Sequence, residues 1–252
     1  ARTGHFYGIG VLIPTNPSLT DTLMSEMTPA AAGYYFPAEF ALHTATWLSW
    51  PHNPDTWPGK INTIYPSYAA FIKVLTTGEY VHINVADAHM EQQARMLLQQ
   101  HEVNMDRVRF FHHPTNDAWC RDHGPAFLIN PDSRQPKVIV DWGHNAWGGK
   151  YPPFDLDDVI PSRIGKAYDI PVYHSGIIME GGSVDFNGAG TLITSTSCLL
   201  NPNRNPHLSK REIEQYLVDY YGVQQILWVD EGIIGDDTDG HIDDTVRFFN
   251  ED

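Results

Sequence analysis

The sequence is poor in cysteine, and this restricts the sites it can build. Its 252 residues include two cysteines, Cys120 and Cys198. Two cysteines cannot form the disulfide framework of a small secreted domain, and these two lack the paired spacing of a structural zinc site. We therefore expect a reducing compartment and predict a cytoplasmic protein.

Basic residues are also scarce. The chain has 16 Lys and Arg against 31 Asp and Glu, which gives a formal net charge of −15. A negative field repels phosphate backbones and attracts cations, so we expect no nucleic-acid partner and favour a small basic substrate. The alternative is that the acidic residues only keep the protein soluble, and the net charge does not distinguish this interpretation from a basic substrate.

Long apolar runs are missing as well. No run approaches the ~20 residues that span a bilayer, so no membrane partner is expected. Residues 1–27 lack the basic-then-apolar order of a signal peptide, and we interpret them as a leader or an expression remnant. Because no low-complexity linker divides residues 28–252, we predict that they form one α/β domain.

The order of short patterns predicts a repeated unit. Residues 183–229 contain a hairpin signal, a helix that begins with the capping box of Ser209 and Glu212, and a further strand. Residues 126–168 show two strand-like runs and a helix in the same order. The sequence therefore predicts an α/β fold of repeated ββαβ units.

The densest cluster of polar and aromatic residues is at 116–125, between two strand-like runs. Asp122 can accept paired hydrogen bonds from a planar guanidinium group, and Trp119 offers a ring face to the same cation. Asp117 adds a second carboxylate. The alternative is structural: Arg121 would pair with one of the aspartates and Trp119 would fill the core.

A second acidic cluster occupies residues 235–244. If the chain is extended here, alternation places His241 and Asp243 on one face, where an imidazole can act as acid or base beside a carboxylate. The alternative is a solvated acidic turn, since the EF-hand pattern is absent. Glu180 is a third candidate because two glycines follow it and allow close backbone approach, although Gly-Gly more often only makes a turn.

Five motifs in fixed order lie at residues 116–125, 141–149, 179–182, 198–206 and 237–243. Together they resemble the agmatine deiminase family and its relatives, the bacterial peptidylarginine deiminases. Two opening stretches, 37–40 and 46–51, extend this resemblance from about Thr28 to Asp252. The resemblance implies a pentein fold, a five-bladed α/β propeller of ββαβ units; we expect four units here and an incomplete C-terminal part.

The resemblance also implies roles for individual residues. The implied roles are guanidinium binding by Asp122 and Asp243, acid–base catalysis by His241, a pocket wall from Trp119, and further substrate contacts from Asp117 and Glu180. The reaction is attack of a thiolate on the guanidinium carbon, loss of ammonia, and hydrolysis of the covalent intermediate. Neither a cofactor nor a metal is implied.

The nucleophile of this reaction has no clear counterpart in the sequence. The family carries its reactive cysteine near the C-terminus, in a Gly-rich stretch that ends His-Cys. Cys120 and Cys198 do not match that position, although geometry alone does not dismiss Cys120. We therefore expect the thiol beyond Asp252 and predict that the 252-residue chain is inactive by itself.

Residues 145–150 bear on the choice of substrate. The peptidylarginine relatives place arginines in this stretch to hold the substrate carboxylate, whereas Ala146, Trp147 and Gly148 stand here and only Lys150 is basic. This favours agmatine, which would give N-carbamoylputrescine and ammonia in putrescine biosynthesis. Deimination of arginine or of peptidylarginine is the alternative.

Two further readings remain, from different functional classes. Asp87, Ala88 and His89 match part of the manganese motif of metal-dependent ureohydrolases, but the motif's final aspartate is Glu91 and Asp87 also suits a helix N-cap. The other reading is a non-catalytic guanidinium-binding module. The sequence leaves homo-oligomerisation open.

Overall fold

The computed structural model describes residues 27–251, so the predicted leader, residues 1–27, lies outside them except for Met27. The strands are β1 Ala45–Ser49, β2 Tyr80–Val85, β3 Val108–His112, β4 Ala126–Ile129, β5 Lys137–Gly143, β6 Val172–Ile178, β7 Val184–Phe186, β8 Thr191–Ser195 and β9 Gln225–Val229. The helices are α1 Ile61–Gly78, α2 Ala88–Gln100, α3 Cys120–His123, α4 Ala146–Gly149, α5 Asp155–Asp158, α6 Ile160–Tyr168, α7 Thr196–Leu199 and α8 Lys210–Tyr221. Single 3₁₀ turns occupy Met105–Arg107, Gly181–Ser183 and Ile242–Asp244.

The first sheet has the order β1-β2-β3, with all neighbours parallel. Parallel neighbours need a long crossover, and α1 and α2 supply it. Ile72 of α1 and Leu98 of α2 are fully buried in one apolar cluster with Ile83 of β2. Because each such side chain contributes about 1.5–3 kcal/mol when buried, this cluster accounts for the docking of both helices on the sheet.

The second and third sheets follow the predicted ββαβ order. In the second sheet β4 pairs antiparallel with β5, and β5 pairs parallel with β6 after α6. In the third sheet β7 and β8 form the predicted hairpin, and β8 pairs parallel with β9 after α8. The described residues therefore hold three sheets rather than the four units we expected, and the first is a parallel βαβαβ unit rather than ββαβ.

The predicted capping box begins α8. The Ser209 hydroxyl accepts a bond from the Glu212 amide at 3.4 Å, and the Glu212 carboxylate accepts one from the Ser209 amide at 2.7 Å. Gly222 closes the helix with a left-handed φ of 70°. Local sequence thus determines where this helix begins and ends.

One apolar core joins the second and third sheets. Leu128 of β4, Val140 of β5, Leu192 of β8 and Leu217 of α8 belong to the same buried cluster. Shared burial fixes the two sheets relative to each other. Within residues 27–251, no helix is long and apolar enough to cross a membrane.

Candidate active site

The candidate side chains come from connections at the ends of elements in the second and third sheets. Asp122 lies in α3 just before β4, Glu180 follows β6, and His241 follows β9. The Asp122 carboxylate accepts a bond from the Gly182 amide at 3.0 Å, and its Oδ1 lies 3.6 Å from His241 Nδ1. The structure therefore brings three of the five sequence motifs into contact.

Asp122 is buried and held from two sides. The Trp147 indole donates to its Oδ2 at 3.1 Å, while the Gly182 amide donates to Oδ1. Burial raises the pKa of Asp122 to about 6, and these two hydrogen bonds oppose the rise. A fixed, poorly solvated carboxylate of this kind is suited to bind an organic cation.

The backbone that presents Trp147 is unusual. Ala146 and Trp147 both have a φ of 54°, a left-handed backbone conformation that residues other than glycine rarely adopt. The Asn145 side chain accepts a bond from the Gly148 amide at 2.8 Å, and a Cβ on Gly148 would collide with Asn203. The strained turn directs the indole N–H at Asp122, which sequence patterns did not reveal.

His241 does not lie on a strand, contrary to the prediction. It precedes the 3₁₀ turn Ile242–Asp244, because the Asp236 carboxylate accepts bonds from the amides of Gly240 at 2.9 Å and His241 at 3.2 Å. Its Nδ1 nevertheless lies 4.0 Å from Asp243 Oδ1, so the predicted pairing is present. Burial lowers the pKa of His241, which favours the neutral imidazole.

Asp243 lies on the more exposed side of the cluster. Arg121 Nε is 3.5 Å from its Oδ2, and the guanidinium of Arg121 also pairs with Glu39. Burial raises the pKa of Asp243 to about 6, while Arg121 opposes this. The structural alternative, in which Arg121 pairs with Asp117 or Asp122, is thus only partly correct. Arg121 does pair with an aspartate, but that aspartate is Asp243.

Glu180 is fully buried beside His241. Burial raises its pKa, and the nearby Arg204 guanidinium opposes this rise. Arg204 Nε donates to Glu180 Oε1 at 2.6 Å. Glu180 Oε2 has no hydrogen-bond partner among the residues the structure describes. One oxygen is therefore held, and the other is available to a ligand.

Arg204 is a site residue that sequence reasoning missed. Its side chain is fully buried and binds four groups across three motifs. These groups are Glu180 Oε1 at 2.6 Å, Asn203 Oδ1 at 2.6 Å, Asp239 Oδ2 at 2.7 Å and the Thr238 carbonyl at 3.1 Å. The sequence did contain one indication of its importance, because Arg204 is the one basic residue in the motif at 198–206.

Trp119 and Asp117 lie farther from the centre of the cluster. Trp119 is 40% exposed, with its ring stacked on Trp57 at 5.7 Å and edge-on to Trp147 at 6.3 Å. It therefore does not fill the core. Asp117 is instead tied to the preceding loop, where it accepts bonds from the Thr56 hydroxyl and from Asn53 Nδ2.

Neither thiol has the environment of an activated nucleophile. Burial raises the pKa of Cys120 to about 12, and it raises the pKa of Cys198 well above its ordinary value. The thiolate is the reactive form, and both sites disfavour it. That the nucleophile is neither of the two stays a prediction.

The sequence matches the family described as Porphyromonas-type peptidyl-arginine deiminase over residues 35–252. It is 40% identical over 221 residues to the agmatine deiminase of Pseudomonas syringae pv. tomato, covering 86% of this chain and 58% of that protein. The chain thus spans about three fifths of the length of the curated relatives it matches.

Solved structures of related proteins also resemble the chain. The agmatine deiminase of Enterococcus faecalis superimposes with a TM-score of 0.81 and 34% identity, covering 89% of this chain and 60% of that one. The agmatine deiminase of C. jejuni gives a TM-score of 0.72 and 32% identity, covering 86% and 62%. The predicted pentein-type α/β fold is therefore confirmed, while closure into a five-bladed propeller stays a prediction.

Proposed function

The chain belongs to the Porphyromonas-type peptidyl-arginine deiminase family, and from this premise we propose that it forms the guanidinium-binding and acid–base part of an agmatine deiminase. The reaction is hydrolysis of a C–N bond of agmatine to N-carbamoylputrescine and ammonia. One observation carries the proposal: His241 Nδ1 lies within 4.0 Å of carboxylate oxygens from both Asp122 and Asp243. Two carboxylates and an imidazole meet the needs of a delocalised cation and a departing amine.

Each group has a distinct chemical task. Asp122 and Asp243 accept hydrogen bonds from the guanidinium N–H groups and orient its central carbon. A thiol transfers its proton to the neutral His241 imidazole as its sulfur attacks that carbon, and the resulting imidazolium donates this proton to the departing ammonia. His241 then removes a proton from water, which hydrolyses the thiouronium intermediate and releases the thiolate. Glu180 contacts the substrate beside His241, and Trp119 forms the rim of the pocket.

The proposed reaction needs a thiolate that neither described cysteine supplies. The thiols of Cys120 and Cys198 both have a raised pKa in this environment. We place the nucleophile in another part of the natural protein, since the relatives are longer than this chain. No resident metal or cofactor is part of the scheme.

The turn at 145–150 supports agmatine over a carboxylate-bearing substrate. Lys150, its basic residue, donates to the Asp237 carbonyl at 2.6 Å and to Asp239 Oδ1 at 2.7 Å. A lysine already paired in this way is a poor clamp for a substrate carboxylate. The net charge of −15 favours a dicationic substrate, and we propose a cytoplasmic role in putrescine biosynthesis.

Steady-state kinetics on the full-length natural protein test this proposal. We expect kcat/KM for agmatine to exceed that for arginine and for a peptide ending in arginine. Asp122→Asn and His241→Asn should each lower turnover by roughly 100-fold or more with little loss of folding. Asp132→Asn, in an exposed turn, is the matched control.

Two results would overturn the proposal. Near-normal turnover in either site variant would remove the assigned roles. Preference for a carboxylate-bearing substrate would instead leave the roles and change the substrate.

A further inference from the structure

Three side chains that commonly bind metals meet on the inner side of the cluster. Glu180, Cys198 and His241 each offer one ligand atom, and these atoms all lie within 4.8 Å of one another. The three residues come from three separate motifs. All of them are buried, with relative exposures of 0%, 0% and 3%. The proposed deimination uses the glutamate and the histidine but gives Cys198 no task.

Two polar atoms in this cluster lack partners. Glu180 Oε2 and His241 Nε2 are buried, and neither has a hydrogen-bond partner among residues 27–251. An unsatisfied buried polar group costs about 1–3 kcal/mol, so native structures usually satisfy it with a ligand, water or ion. Both free atoms belong to the residues that surround the Cys198 thiol.

The opposite atom of each side chain is already oriented. Arg204 Nε holds Glu180 Oε1 at 2.6 Å, which leaves Oε2 free. His241 Nδ1 faces the Asp122 carboxylate at 3.6 Å and the Asp243 carboxylate at 4.0 Å, which leaves Nε2 free. A carboxylate behind a histidine is the usual arrangement around a metal-bound imidazole.

We propose that Glu180, Cys198 and His241 form a binding site for a zinc ion that the deiminase reaction does not require. A thiolate, an imidazole and a carboxylate are the ligand types that zinc selects, whereas calcium and magnesium prefer oxygen ligands alone. Ligand atoms around tetrahedral zinc lie roughly 3.5 Å apart, so a shift on the order of 1 Å would close the site. Water would take the fourth position.

Charge also favours a divalent cation at this position. Zinc displaces the Cys198 thiol proton to solvent, and the resulting thiolate and the Glu180 carboxylate together balance the charge of the ion. Arg204 is a nearby cation, but Asp239 pairs with it at 2.7 Å. Asp122 and Asp243 add negative charge behind His241.

A bound zinc ion would prevent the proposed catalysis. It would occupy His241 Nε2 and one Glu180 oxygen, and a metal-bound imidazole cannot transfer protons. This consequence rests on the proposed function, whereas binding of the ion does not. Zinc would therefore inhibit turnover of agmatine, and agmatine would weaken zinc binding.

Cobalt substitution in the full chain tests the site without any turnover measurement. We expect wild type to bind one Co²⁺ with a thiolate-to-cobalt absorption band in the near ultraviolet, and zinc to displace it. Cys198→Ser should lose the band and bind zinc at least roughly 10-fold more weakly, since ligands matter at least as much as their supporting groups. Cys120→Ser is the matched control and should keep both properties.

Several outcomes would overturn the site. They are absence of the band in wild type, its persistence in Cys198→Ser, and its loss in Cys120→Ser alone. If Cys198→Ser does not fold, zinc-edge X-ray absorption of the wild-type complex decides: one sulfur ligand with nitrogen and oxygen ligands supports the site, and oxygen and nitrogen ligands alone refute it.

Activity of the full-length protein separates this proposal from the deiminase assignment. Zinc should inhibit the wild type, while Cys198→Ser should retain zinc-free activity and resist inhibition. A cobalt–thiolate band without agmatine turnover would refute the assigned function and leave the metal site standing. Agmatine turnover without a cobalt–thiolate band would refute the metal site and leave the assigned function standing.

Discussion

A helix connects parallel strands in all three sheets, but the first sheet differs from the other two in the kind of residue that it buries. Buried residues around β1–β3 are largely apolar, and their buried polar members, such as His82 and Asn84, are uncharged. Among residues 27–251 the buried carboxylates all lie beyond β3, at Asp122, Asp141, Asp157, Glu180 and Asp185. The first sheet is therefore held by apolar packing, whereas the other two also depend on charges that must be paired.

Of the substitutions that test this contrast, removal of Arg204 should lower the stability most. Arg204→Met would leave the buried Glu180 without its cation and Asp239 with Lys150 alone, and loss of one partner from a buried pair costs about 3–5 kcal/mol. Urea unfolding should show this as a lower midpoint. Arg204→Lys should retain part of the stability because it keeps the charge but loses the planar fork.

Arg121→Met is the matched comparison in the same region. Arg121 is 40% exposed and pairs with Glu39 and Asp243, so its loss should change the free energy of unfolding by less than about 1 kcal/mol. Equal effects of the two methionine substitutions would show that burial does not distinguish the two arginines.

Truncation in the first sheet should affect stability without affecting the site. Leu98 of α2 is fully buried, and Leu98→Ala should lower the free energy of unfolding by about 2–5 kcal/mol. Agmatine affinity, measured by calorimetry below the unfolding temperature, should not change. Met96→Ala removes an exposed side chain from the same helix and should change neither quantity. Weakened agmatine binding in Leu98→Ala alone would mean that the first sheet shapes the pocket.

The sequence predicted elements whose signals are local. The capping box at Ser209, the hairpin of the third sheet and the helix after Asp87 all depend on neighbouring residues, and all are present. The five motifs likewise identified the loops that converge.

Failures came from long-range or competing interactions. Alternation predicted a strand at His241, but the Asp236 side chain binds the amides of that segment and favours a turn. The all-parallel first sheet follows from strand pairing, which no short pattern encodes. Arg204 was missed because its carboxylate partners lie 24 and 35 residues away.

Acid should destabilise the first sheet through His82. Burial lowers the pKa of His82 to about 4, and nearby Arg109 acts in the same direction. The unfolded chain binds this proton near its ordinary pKa of 6.5, so the stability contribution is complete above about 6.5 and declines as the pH falls toward 4. The urea midpoint should fall over this range, and His82→Asn should show a smaller decline. An identical decline in both proteins would assign the acid sensitivity to other groups.

The smallest effect is expected at the N-cap of α2, where it separates the proposed deiminase function from that of a metal-dependent ureohydrolase. Asp87 Oδ1 accepts bonds from the amides of His89 and Met90, each at 2.9 Å. Asp87→Ala should lower Tm by roughly 2–4 °C, as Ser209→Ala should at α8, whereas Asp87→Asn keeps a good cap and should stay near wild type. None of these changes should alter agmatine turnover by the metal-free, full-length protein. If Asp87 were instead a manganese ligand, both of its substitutions would abolish turnover, and wild-type activity would depend on added Mn²⁺. Thermal unfolding measured beside turnover after chelation therefore tests whether this aspartate has only a structural task.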